Sequence, residues 1–334
     1  MLVRRSPSST SERGAALIMA LIIVSVMSVA ALSVLESMKF AVRVASNIEN
    51  REQARLYALG AEELASATLK AAWKTGDGAN PALDEWVRRP LVFPIDGGVI
   101  EGRVRDGANC FNLNAVVDFE GVGGFVADTR TAAVYMRLLE GVGVPTGEAE
   151  MLAGTLVDWI DTDSTPNFGG AEDYYYAALP APYRTSGQLL ADVSELRSLS
   201  GYTPDLVDAL DHFVCARPTT ELASLNINTL EIEDALLLQV YLGDGYDPND
   251  AFRLIGERPL GGYPSVNDFL VLAGLIDPED ERDDQDLMFA LRSDVYDVSA
   301  VVTRYDAAIG VSSSLQISKT GDITTVSRRY GSPE

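Results

Sequence analysis

The sequence predicts an α+β protein: a long N-terminal helix packed on a small antiparallel sheet, with a large all-α domain inserted between strands. Three observations predict it. No proline interrupts residues 15–73, and an apolar helical stripe runs through them. Alternating apolar segments occur near residues 91–106 and again after 293. The region between, about 115–291, changes to helical periodicity with helix-capping signals.

The elements follow in chain order. Arg4, Arg5 and Arg13 precede Gly14, and residues 15–35 then carry no charge. Their only polar side chains are Ser25, Ser28 and Ser33. About 20 apolar residues in a helix cross a bilayer core, and arginines before the span place the leader on the cytoplasmic side. Everything after the span is then exported. Either this is a secretory signal cut near Ala31 or Ser33, or it is a retained anchor. The stripe Ala54, Tyr57, Ala58, Ala61, Leu64, Ala65, Thr68 and Ala72 extends the helix to Trp73, roughly 90 Å in all. A cleaved signal has no need of that continuation, so the anchor is favoured.

Residues 76–81 read as a turn. Residues 91–106 read as a hairpin turning at Asp96-Gly97-Gly98, and Cys110 to Asn114 as extended chain. Helices are expected at 131–140, 148–160, 194–199, 204–214, 232–242, 248–255 and 266–275. Thr203-Pro204 and Asp247-Pro248 are cap-plus-proline starts. Strands return around 295–301, 315–318 and 323–326, and no tandem repeat is evident. The expected partition is a leader 1–14, a membrane part 15–35, a head 36–114, an inserted helical domain 115–291 and a return to the head over 292–334.

Acidic residues number 49 against 26 basic ones, a net charge of −23. Such a surface repels phosphate backbones, which excludes nucleic acid as a natural partner and favours cations or basic proteins. Cys110 and Cys215 are the two cysteines. In an exported body they are expected to pair, closing a loop of roughly 100 residues worth about 4.7 kcal/mol by chain entropy. In a reducing compartment they would be two buried thiols.

The densest chemistry lies in residues 156–184: Asp158, Asp161, Asp163, Asn167, Glu172 and Asp173. Hard oxygen ligands within one loop suit Ca²⁺. Counted as an EF-hand from Asp161, positions one, three and twelve match as Asp161, Asp163 and Glu172. Position six is Pro166 where glycine is required, so the loop is not an EF-hand. The competing readings are helix caps with a solvated loop, and acid–base catalysis by Asp158, Asp161 and Glu172. The clusters Asp277–Asp286 and Asp244–Asp250 read mainly as caps and surface. His212 is the single histidine and reads as structural. There is no Gly-x-Ser-x-Gly elbow and no phosphate-binding loop. Residues 225–229, followed by helices and residues 261–265, resemble a helix-hairpin-helix unit; with acidic flanks this is a packing module.

Arg13-Gly14 before an apolar run resembles a class III, prepilin-type leader. That resemblance implies that a membrane-embedded prepilin peptidase cuts after Gly14 and N-methylates Ala15. Two departures stand out: the usual first residue is phenylalanine, and the fifth mature position, commonly glutamate, is Met19. A carboxylate among packed apolar helices needs a partner; in pilins that is a neighbour's N-terminal ammonium. A subunit lacking it suits the tip of a filament.

The chain as a whole resembles the K-type minor pseudopilins of the type II (general) secretion pathway. The residues carrying this are Arg13-Gly14, Cys110-Phe111-Asn112-Leu113-Asn114, the run from Asp158 to Asp163, Gly170 to Asp173, Pro182-Tyr183-Arg184, Glu195-Leu196-Arg197 and Asn226 to Thr229. Ser186 departs from the asparagine usual there. The resemblance implies a pilin-type helix and head, a helical insertion holding calcium, and no enzymatic activity. It also implies a cap on the periplasmic pseudopilus, anchored in the inner membrane. The implied partners are the I-type and J-type minor pseudopilins, bound through N-terminal helices, and other secretion-machinery subunits. Spacing assigns the calcium ligands to Asp158, Asp161, Asp163, Glu172 and Asp173. The alternative function is a membrane-anchored periplasmic calcium-dependent binding protein or hydrolase.

Overall fold

The computed structural model describes residues 10–75, 90–243, 245–276, 288–318 and 320–331. The expected turn at 76–81, most of the cluster Asp277–Asp286, and Asp244 lie outside the described residues. Helix α1 (Thr10–Thr75) is one unbroken helix, about 100 Å long at 1.5 Å per residue. The Gly14–Ala15 bond lies within it. Over residues 15–35 every side chain is exposed. Ser25 and Ser28 turn their hydroxyls back onto Leu21 O and Val24 O, each at 2.8 Å. The span therefore presents an almost wholly apolar surface that lipid or neighbouring helices must cover.

After α1 come β1 (Leu91–Ile95) and β2 (Gly98–Asp106). Asp96-Gly97 is the two-residue turn between them, with Ile95 opposite Gly98. Gly97 has φ +76°, and a Cβ there would meet the Tyr305 ring at 2.4 Å; the turn needs glycine on both counts. The chain then leaves the sheet through β3 (Phe111–Asn112), the hairpin β4 (Val117–Phe119) and β5 (Phe125–Ala127), and helices α2 (Thr129–Gly141) and α3 (Thr146–Ile160). It continues through α4 (Asp173–Ala177), a 3₁₀ turn Val193–Ser198, α5 (Pro204–Leu210) and β6 (Val214–Cys215). A second series follows: β7 (Leu225–Asn226), α6 (Ala235–Leu242), α7 (Pro248–Gly256), α8 (Val266–Ala273) and β8 (Phe289–Ala290). The strands β9 (Val295–Arg304), β10 (Ala307–Ile317) and β11 (Ile323–Gly331) return to the first sheet. Its order is β1-β2-β9-β10-β11, antiparallel throughout.

Small side chains bring α1 close to this sheet. Ala54, Ala58 and Leu69 are fully buried against Ile100, Val302 and Leu315 and their neighbours. Among them sits Glu62, also buried. It accepts from Arg328 Nε and Nη2 at 2.7 and 2.6 Å, from Ser313 Oγ at 2.6 Å and from Thr325 Oγ1 at 3.0 Å. A carboxylate taken from water is tolerated because a bidentate guanidinium and two hydroxyls replace its hydration.

The inserted body has one continuous apolar core but two copies of one local design, which the sequence reading did not detect. In the first copy Asn112 Oδ1 accepts from Asn114 N, and Asn114 clamps both backbone groups of Leu190 at 2.8 and 2.9 Å. In the second, Asn226 Oδ1 accepts from Asn228 N, and Asn228 clamps Tyr263 at 2.6 and 3.2 Å. Each clamp precedes a capped helix, by Asp192 and by Ser265. Each series ends on a strand parallel to the one that opened it, β3 with β6 and β7 with β8. The Asn-x-Asn pairs and the short capped segments at 192–196 and 265–269 are alike in sequence, but the intervening stretches differ in length, so periodicity hides the duplication. The expected packing module at 225–229 is half of this design. The short paired strands and α4 are additions to the expected helices, and the helix expected at 204–214 ends at Leu210.

Cys110 and Cys215 form a disulfide, with Cα atoms 5.8 Å apart, beside the β3–β6 pair. The body is also fixed where it joins the sheet. Asp106 Oδ2 accepts from Ser293 Oγ, from Thr229 Oγ1 and from Asn226 Nδ2, and Oδ1 accepts from Ala108 N. One carboxylate thus ties the outgoing strand, the returning strand and the second Asn-x-Asn turn.

Candidate metal centre

Helix α3 ends in a buried turn, and its last residues aim carboxylates at the loop that follows. Asp158 is 0% exposed and Asp161 4%. Asp161 is the C-cap with extended backbone, φ −65° and ψ 167°. Cations are favoured at a helix C-terminus, where unpaired carbonyls carry partial negative charge. The loop then folds back along the helix. Asn167 donates to Asp158 Oδ1 from both N and Nδ2, at 2.9 and 2.7 Å. Gly170 passes so close that a Cβ there would sit 2.0 Å from Asp158 Oδ2. This close approach brings Glu172, 2% exposed, to the N-terminus of α4.

Asp161, Asp163 and Glu172 present carboxylate oxygens within 4.8 Å of one another. Among the described residues this is the one such cluster of three or more. Asp158 Oδ2, Asp161 Oδ1 and Glu172 Oε1 are buried with no hydrogen-bond partner. Burial pushes Asp161 up to about 7, helped by the charges of Asp163, Asp158 and Glu172. Burial also raises Asp158, against the two bonds from Asn167. Glu172 is raised by burial and then by Asp158. Unpaired buried carboxylates are strongly unfavourable, and an all-oxygen set whose charge a divalent ion would largely offset fits calcium or another hard cation better than zinc.

Of the ligands expected from spacing, the structure brings Asp161, Asp163 and Glu172 together, with Asp158 near enough for its charge to raise Asp161 and Glu172. Asp173 is engaged elsewhere: its Oδ1 accepts from Thr185 N and Oγ1, each at 2.9 Å, and Arg184 lies 3.7 Å from Oδ2. His212 bonds Asp234 Oδ1 at 3.1 Å, a contact that raises its pKa, rather than joining the cluster. The sequence reading overlooked Thr162. It lies between two of the clustered acids and donates from Oγ1 to Gly123 O and Phe125 O at 3.0 and 3.1 Å.

Comparison with known proteins adds a family. Models of type II secretion system (T2SS) protein K match residues 109–219 and 225–288, so each matched segment begins near one Asn-x-Asn pair. The type II secretion system protein K of Pectobacterium carotovorum subsp. carotovorum is 37% identical over 324 residues, spanning 96% of this chain and 97% of the relative. That of Aeromonas hydrophila is 35% identical over 262 residues, 77% of this chain and 79% of the relative. A chain in the crystal structure of the GspK-GspI-GspJ complex from the enterotoxigenic Escherichia coli type 2 secretion system superposes with TM-score 0.74 and 27% identity. It covers 87% of this chain and 100% of that one. Fold and sequence agree: this chain belongs to the type II secretion system protein K family, the minor pseudopilins of that pathway.

Proposed function

We propose that this subunit caps the tip of a periplasmic pseudopilus, anchored before assembly in the inner membrane with its body in the periplasm. The observation that carries this is the exposed, uncharged span of α1 with Met19 at its fifth position after Gly14. The apolar surface calls for lipid first and packed helices later. Without a carboxylate near its start, the helix offers no partner to the N-terminal ammonium of another subunit, which suits the last position of a filament. Processing is by prepilin peptidase after Gly14, leaving Ala15 as the N-terminus. The I-type and J-type minor pseudopilins are the neighbours, since the superposed chain comes from a complex of GspK with GspI and GspJ.

The acidic cluster holds a calcium ion on Asp161, Asp163 and Glu172, with Asp158 nearby. The ion supplies charge neutralisation and fixes the loop; the role is structural and the subunit is not an enzyme. Three buried carboxylate oxygens without partners support this.

Deleting the gene should leave exoproteins folded in the periplasm, with export across the inner membrane intact. Gold-labelled antibody on overproduced pseudopili should mark one end. Labelling along the whole length, or normal release of exoproteins by the deletion strain, would sink the tip assignment. Mass spectrometry of the mature chain should find an N-methylated Ala15.

A further inference from the structure

The hairpin β4–β5 stands beside the acidic loop and is firmly rooted. Asp128, just beyond β5, caps α2 through Arg130 N and Thr131 N at 2.9 and 3.3 Å, and its own N–H donates to Val116 O at 2.8 Å. At the other end Glu120 N donates to Gly124 O and Gly124 N to Gly121 O. Thr162 meets this hairpin three times: its N–H donates to Phe125 O at 3.0 Å, and Oγ1 donates to Gly123 O and Phe125 O. Gly124 has φ +85°, and a Cβ there would lie 2.4 Å from Thr162 Oγ1. The hairpin is glycine at the point where the threonine enters.

The chain bends at Thr162 and Asp163: Thr162 bonds the hairpin, while the residues on either side of it bring carboxylate oxygens within 4.8 Å of each other. Asp161 is held by α3 through its N–H to Val157 O, and Glu172 is held at the start of α4. Asp163 is the exposed member of the three, and mutual repulsion of like charges drives it outward. Anchoring Thr162 opposes that motion.

We propose that the β4–β5 hairpin is the outer support of the cation site, and that Thr162 is the positioning residue that holds Asp163 in register with Asp161 and Glu172. This rests on the reading that the acidic cluster binds a divalent cation. By reciprocity of coupled sites, the cation in turn stiffens the hairpin.

The test uses the full chain in detergent, stripped with chelator and titrated with calcium chloride by calorimetry. Residues supporting a metal ligand are typically worth 10- to 100-fold in affinity. Thr162→Val, which removes the hydroxyl and keeps the shape, should weaken calcium binding at least about 10-fold. Thr162→Ser should restore most of it, and Gly124→Ala should mimic the loss. In the wild type, calcium should slow hydrogen exchange across residues 117–127, an arm that needs no variant to fold. Wild-type affinity in Thr162→Val, or exchange in the hairpin indifferent to calcium, overturns the role of Thr162 and the hairpin. Failure of the wild type to take up calcium overturns the cation reading itself, and this inference with it.

Discussion

At the scale of single residues, the acidic cluster gathers charges that oppose one another and that a cation would offset. Asp161 moves from 3.8 in a solvated chain to about 7 in the fold. A carboxyl whose folded pKa is raised stabilises the fold fully below its unfolded value and loses that contribution as pH rises through the folded one. Cation-free protein should thus lose stability between about pH 4 and pH 7 on account of this group. Calcium should return it where the carboxylate is ionised. The calcium-induced rise in Tm is therefore expected to be larger at pH 8 than at pH 5.5. An increment independent of pH would argue that Asp161 is not a ligand. Asp161→Asn should weaken calcium binding and raise the stability of the cation-free form at pH 8, because it removes a buried charge that only the ion satisfies.

At the scale of elements, an ion pair between buried Glu62 and half-exposed Arg328 registers the long helix on the sheet. Glu62 is held below its ordinary pKa, chiefly by the hydrogen bonds from Arg328, against the opposing effect of burial. A depressed carboxyl stabilises above its unfolded value and is lost only as pH falls through the folded one, so the contact is fully present at neutral pH. Removing Glu62 strands no charge away from water, because Arg328 keeps 38% of its side chain exposed; the loss is that of charge-assisted hydrogen bonds discounted for solvent screening. Glu62→Ala should cost about 1–2 kcal/mol in denaturant unfolding. The double variant with Arg328→Ala should cost clearly less than the sum of the two single losses; simple additivity would mean that the pair is not coupled. The disulfide belongs to this scale too. It closes a separation of 105 residues, and the Cys110→Ser, Cys215→Ser protein should lose about 2–4 kcal/mol, read as a lower unfolding midpoint that reductant does not lower further.

At the scale of the whole molecule, the design question is how a large body inserted in a small sheet stays fixed to it. Asp106 answers most of it, since its carboxylate gathers donors from Ala108, Asn226, Thr229 and Ser293. Arg329 on β11 adds an ion pair to Asp192 at 2.9 Å, which is partly exposed and so contributes modestly. Asp106→Ala leaves buried donors of Asn226 and Ser293 without this acceptor, a change of about 1–3 kcal/mol per stranded group. The expected result is that sheet and inserted body no longer unfold together: calorimetry should resolve two transitions in place of one. A single transition, shifted or not, would show that the chain crossings and the remaining contacts, Arg329 with Asp192 among them, suffice.

The sequence by itself determined the long apolar helix, the hairpin turn and the neighbourhood of the acidic cluster, and it made the cysteine pair the expectation for an exported body. These are local matters. An uncharged run of apolar residues in lipid has to satisfy its backbone internally as a helix, and Asp96-Gly97 supplies the positive φ that a tight hairpin needs. Asp158, Asp161, Asp163 and Glu172 fall within a span that one helix end and one loop can fold together. What only the tertiary structure decided depends on register between distant segments. Glu62 was not singled out from the sequence, where Glu63 stands beside it, and its partner lies 266 residues later. Asp173 has the same chemistry as its neighbours, and Thr185 removes it from the cluster. The doubled Asn-x-Asn design emerges only when the clamped backbones of Leu190 and Tyr263 are seen in place. A side chain's type is written at its own position. Which of several equivalent acids meets an ion, and which asparagine meets a backbone, is settled by packing that buries one alternative and leaves the other in water.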